Sequence, residues 1–82
     1  PQGVAYSAPA ATLYVATGGD GTLRAYRGER LVAGPGVRLG SDADNVRLDQ
    51  DETRVFVGYG AGAIAALDPR TLQKWAEWRL PE

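Results

Sequence analysis

The chain contains no cysteine, no histidine and no methionine in its 82 residues. Without cysteine there is no disulfide to staple a small fold, and without histidine as well the common thiolate and imidazole zinc sites are excluded. A serine nucleophile would lack its usual imidazole base. An excess of positive charge is missing too: nine Lys and Arg stand against ten Asp and Glu, a formal charge of −1. That leaves no basic face for a phosphate backbone. No apolar run approaches the roughly eighteen residues that cross a bilayer, and no charged-then-apolar leader opens the chain. Neither nucleic acid nor a membrane is an expected partner. A domain this small buries a modest fraction of its surface, so with disulfides and zinc gone, association with other chains is the support left to consider. A start at Pro1 with no methionine anywhere reads as a mature or excised segment, from which an initiator was removed or a longer parent or tag was trimmed.

What is present is a repeat. "LYVATGGDGTLRAY" (13–26) returns as "VFVGYGAGAIAAL" (55–67). Placing Val4 over Val46 aligns 3–15 with 45–57 at an offset of 42, without a gap. Past the glycine-rich loop the offset becomes 41: Leu23 meets Ile64, Tyr26 meets Leu67, Leu31 meets Leu72, Val37 meets Trp78 and Leu39 meets Leu80. One residue has dropped out of the second loop.

Each unit offers four short segments rich in Val, Leu and Tyr between turn-forming stretches, and no window keeps a helical spacing through its glycines and prolines. The expected strands are 4–7, 13–17, 22–27 and 30–39 in the first unit, and 46–48, 54–59, 63–67 and 71–80 in the second. The expectation is all-β, with one unit over 1–40 and another over 41–82. A period near 40 residues with four strands per unit is a signature of β-propeller blades.

These residues resemble a known family. "GVAYS", "LYVAT", "VFVGY" and "ALDPRT" are similar to the YVTN-type β-propeller repeat, in which a Pro-x-Gly-Val-Ala-like inner strand leads to a Tyr-Val-Ala-like second strand, then a glycine or asparagine loop and two outer strands. The resemblance covers the chain twice. It departs at 7–12, where such repeats place Pro-Asp-Gly and this chain has Pro9 with no glycine after it.

The resemblance implies two four-stranded antiparallel blades, and two blades cannot close a ring that usually has about four to eight. An open pair would leave an apolar sheet face at each end. Running from Leu80 through Pro81 and Glu82 into Pro1, Gln2 and Gly3 of another copy reproduces a linker close in length to 39–46, so the chain is expected to hold two whole blades. Several copies would then join head to tail into a closed ring, a heterologous interface that closes when the rotation fits. Four copies give eight blades, the favoured number, and three give six; seven is out of reach.

Candidate sites are few. "SDADN" (41–45) gathers the oxygen ligands that calcium prefers, but the calcium-loop template fails, because its third ligand position falls on Val46 and its closing glutamate on Thr53. In a ring this linker would approach the channel mouth, so Asp42, Asp44 and Asn45 are weak candidates for a cation or polar ligand. "GYGAGA" (58–63) matches a relaxed G-x-G-x-x-A pattern, but Pro69 arrives too soon for the helix that a dinucleotide site requires, and a hairpin turn is the simpler reading. "GGDG" (18–21) reads the same way. "DQDET" (49–53) is a charged turn, without the fixed carboxylate separation of glycoside cleavage. Ser7 and Ser41 sit where turns use serine. Trp75 and Trp78, three apart on a strand, are expected on opposite faces. Lys74, Glu77 and Arg79 fit an outer strand whose edge is kept charged.

The expected role is therefore a self-assembling structural scaffold, without catalysis and without cofactor, whose partner is itself. The alternative is a ligand- or cation-binding segment of a larger propeller, or a lactonase-like one, since propellers that resemble this repeat include ligand-binding proteins and sugar-lactone hydrolases.

Overall fold

The computed structural model describes residues 3–40, 43–60 and 62–79. These form eight strands: β1 (Gly3–Ser7), β2 (Thr12–Thr17), β3 (Thr22–Arg27), β4 (Val32–Arg38), β5 (Asp44–Leu48), β6 (Val55–Tyr59), β7 (Ala63–Leu67) and β8 (Lys74–Arg79). Within each half of the chain consecutive strands pair, giving two antiparallel four-stranded sheets, β1-β2-β3-β4 and β5-β6-β7-β8. The architecture is all-β and compatible with two propeller blades. The residues of the expected junction between copies, Leu80, Pro81, Glu82, Pro1 and Gln2, lie outside the described residues.

Turn chemistry sets where the strands begin. β4 and β8 start later than the expected 30 and 71, because the preceding turns run further. Leu31 N–H donates to the Gly28 carbonyl at 3.1 Å and Leu72 N–H to the Asp68 carbonyl at 2.8 Å. Both leucines take the left-handed conformation, with φ of 53° and 61°. The glycine-poor turn after β1 closes on Ala11, at φ 48°, with Ser7 Oγ accepting from Ala10 N–H at 3.2 Å. The serine hydroxyl does locally what a turn glycine would otherwise permit.

The repeat is written into the cross-strand register. Gly3, Ala16, Leu23 and Val37 form one row of the first sheet, and Asp44, Gly58, Ile64 and Trp78 form its counterpart in the second. The next rows, Val4-Val15-Arg24-Gly36 and Val46-Val57-Ala65-Glu77, correspond in the same way. Both sheets carry a register shift between the third and fourth strands, at Arg24/Tyr26 and at Ala66/Leu67. The second sheet alone has another, between β5 and β6, a bulge at Asn45, whose φ is 34°.

The two sheets pack face to face. The first contributes Tyr14, Ala16, Leu23 and Ala25, and the second Val46, Val55, Val57, Ala65 and Leu67, with Leu72 from the last turn. Tyr14, Leu23, Val55, Val57, Leu67 and Leu72 are essentially fully buried, each worth about 1.5–3 kcal/mol relative to exposure. Contact is closest at the inner strands, where a Cβ on Gly3 would stand 2.9 Å from the Asn45 backbone nitrogen. Only glycine allows β1 to lie this near β5.

Candidate functional site

Of the residues expected at a channel mouth, Asp42 lies outside the described residues, as does Ser41. Asp44 opens β5 and is exposed, and Asn45 follows it in the bulge. The Asp44 carboxylate is engaged locally: its Oδ1 accepts from Asn45 N–H at 2.8 Å, holding the bulged backbone in place. Among the described residues no group of three or more Asp or Glu side chains is placed to hold a metal ion. Asp44 and Asn45 border an open groove of about 460 Å³ that runs past Arg47, Phe56 and Ile64. Of "GYGAGA", Gly58 and Tyr59 end β6, Gly60 turns at φ 60° and Ala63 opens β7, while Ala61 lies outside the described residues; among the described residues no helix follows.

The acidic turn "DQDET" is built around one carboxylate. Asp49 Oδ1 accepts from Thr53 N–H at 2.7 Å and Arg54 N–H at 3.2 Å, while Oδ2 accepts from the Thr53 hydroxyl at 2.7 Å. The Thr53 hydroxyl, and then these backbone donors, hold the Asp49 carboxyl below its ordinary value. Asp68 is held down likewise by Thr71 and Arg70 N–H in the "DPRT" turn. Both carboxylates are turn caps. A neighbouring acid, Glu52, reaches across the seam instead and accepts from Ser7 Oγ.

Two further bonds cross the seam at the same end. Tyr14 Oη donates to the Pro69 carbonyl at 2.7 Å, and Arg27 Nη2 to the Arg70 carbonyl at 2.6 Å. Burial raises the Tyr14 phenol above its ordinary value, which keeps it protonated and a donor. Nothing in the local sequence signals these bonds, because each joins residues more than forty apart in the chain.

The faces turned away from this seam are apolar as well. On the first sheet Val4 and Tyr6 are exposed, in the company of half-buried Leu13, Val15 and Tyr26. On the second, Phe56 and Ile64 are half-buried and Trp78 is exposed, the Phe56 and Trp78 ring centroids being 6.4 Å apart. Trp75 is exposed and lies beneath the Arg54 guanidinium, whose carbon is 4.2 Å from the ring centroid. Regular alternation, which would put the two tryptophans on opposite faces, is interrupted by the register shift at Ala66/Leu67, leaving Trp75 without a cross-strand partner. Contiguous apolar faces of this kind mark interaction surfaces in water.

The open faces and the buried ones are related through the repeat. Residues that the first sheet buries in the seam, Tyr14, Ala16 and Leu23, correspond to Phe56, Gly58 and Ile64 on the open face of the second. Residues that the second sheet buries, Val46, Val57 and Leu67, correspond to Val4, Val15 and Tyr26 on the open face of the first. The molecule thus leaves exposed the two halves of the interface it has already made once.

No protein-family model matches the chain, and a search of curated proteins finds none that matches it.

Proposed function

We propose that this chain is a pair of YVTN-type propeller blades that assembles with copies of itself, head to tail, into a closed eight-bladed ring of four chains. Its role on this reading is architectural, and its partner is its own kind. The carrying observation is the pair Leu31 and Leu72. They occupy equivalent turns with nearly the same φ, yet Leu72 is 1 % exposed inside the seam and Leu31 is 47 % exposed on the open face. An identical device is buried where a second sheet is present and bare where none is. A second copy supplying a Phe56–Trp78 face would cover it, by the same packing that the chain uses internally.

The arrangement is heterologous, since one open face docks on the other and neither docks on itself; such contacts close into rings when the rotation permits. The supply of apolar surface is also consistent with assembly as the remaining support for a small fold without disulfide or metal. Native mass spectrometry over a range of concentrations tests the reading. A tetramer is expected, a trimer would make the ring six-bladed, and a folded monomer at every concentration overturns the assembly.

A further inference from the structure

The seam between chains cannot be an exact copy of the seam within one, because the side chains at equivalent positions differ. Arg24 stands where the second sheet has Ala65, which is fully buried, and Gly36 stands where it has Glu77. On the facing surface Trp78 stands where the first sheet has Val37, a residue packed against the core. At these positions the seam between chains brings a cation on one face and an indole on the other, where the internal seam has an alanine and a valine.

The Arg24 side chain is already laid out for the contact. Its Nη1 donates to the Gly34 carbonyl at 3.2 Å, and a Cβ on Gly36 would stand 2.8 Å from its guanidinium carbon. The head therefore lies flat over bare glycine backbone on β4, the outer strand, with its upper face open. Of the two tryptophans on β8, Trp75 already holds the Arg54 guanidinium, while Trp78 is 47 % exposed with Phe56 on its flank. Sheets radiating from a common axis diverge toward their outer strands, so the outer part of the seam needs large side chains to fill it.

Resting on the ring reading, we infer that Arg24 of one copy stacks its guanidinium on the Trp78 indole of the next, and that this cation–π pair sets the register of the seam between chains. Arg47 on the same face as Trp78 does not oppose it. That residue lies on β5, three strand spacings or about 14 Å from β8, beyond the roughly 8 Å screening length at physiological salt.

The test is a double-mutant cycle on ring dissociation, followed by native mass spectrometry and sedimentation for the wild type, Arg24→Ala, Trp78→Leu and the double variant. Circular dichroism of each separated chain verifies that it remains folded. Each single change is expected to weaken association about threefold to thirtyfold per seam, and the double change to weaken it by less than the product of the two. Arg24→Lys, which keeps the charge but loses the planar stack, should fall between. Within one chain the two residues lie on open faces of different sheets, so no coupling is expected in the melting temperature of the separated chain. A wild-type ring whose single-variant effects multiply, or that is indifferent to Arg24→Ala, overturns the pairing and leaves the ring standing. A wild type that never assembles overturns both.

Discussion

Tyr14 on the second strand donates its phenolic hydrogen to the carbonyl of Pro69, fifty-five residues later, at 2.7 Å. The bond fastens one sheet to the last turn of the other, next to Ser7–Glu52 and Arg27–Arg70. The repeat places Phe56, with no hydroxyl, at the equivalent position of the open face. The seam within a chain is therefore polar-locked at a point where a seam between chains would be apolar.

Tyr14→Phe is accordingly a mild, shape-conserving deletion. It should lower stability by about 1 kcal/mol, read as a fall in the urea midpoint with unchanged slope. Association should be untouched, because the lost hydroxyl faces the internal seam.

Gly3→Ala tests the closeness of the inner strands. A methyl 2.9 Å from the Asn45 backbone nitrogen forces β1 and β5 apart, and the expected cost is about 1–3 kcal/mol. Gly19→Ala is the control, because nothing lies within 4 Å of the added carbon. Thermal melts of the two variants should differ by several degrees.

The equivalent leucines should respond in opposite ways. Leu72→Ala removes a side chain buried in the core and should cost about 2–5 kcal/mol of chain stability. Leu31→Ser should leave the melting temperature of the separated chain nearly unchanged while weakening assembly, which native mass spectrometry reads directly.

Asp49 and Asp68 predict an acid limb. Both are held below the ordinary aspartate value of 3.8 when folded, Asp49 chiefly by the Thr53 hydroxyl and Asp68 chiefly by Thr71 N–H. A depressed folded value stabilises above the unfolded value and is lost as pH falls through the folded one. Stability should thus decline as pH drops below about 4. Asp49→Asn together with Asp68→Asn should flatten that decline, measured by urea unfolding at pH 6 and at pH 3.

Much of the fold was legible in the sequence because strand alternation and turn residues are local signals. The 42-then-41 offset anticipated the equivalences Val4–Val46, Leu23–Ile64 and Val37–Trp78 that the cross-strand rows reproduce. The later starts of β4 and β8 were not legible, since left-handed Leu31 and Leu72 carry no propensity signal. Nor was the bulge at Asn45, which takes up the Asp44 carboxylate. The three polar bonds across the seam escaped for a different reason: they depend on which turns come together in space.

The sequence by itself determined that the described residues form eight strands in two equivalent meanders, because short runs rich in Val, Leu and Tyr and the turn chemistry between them act over a few residues. Only the tertiary structure decided that the Tyr14 face of the first sheet closes on the Val57 face of the second, leaving the Val15 and Phe56 faces open. Patterning marks a face as needing cover but carries no address for what covers it. The glycine that lets β1 lie against β5, and the hydroxyl and carbonyl groups that meet across the seam, supply that address.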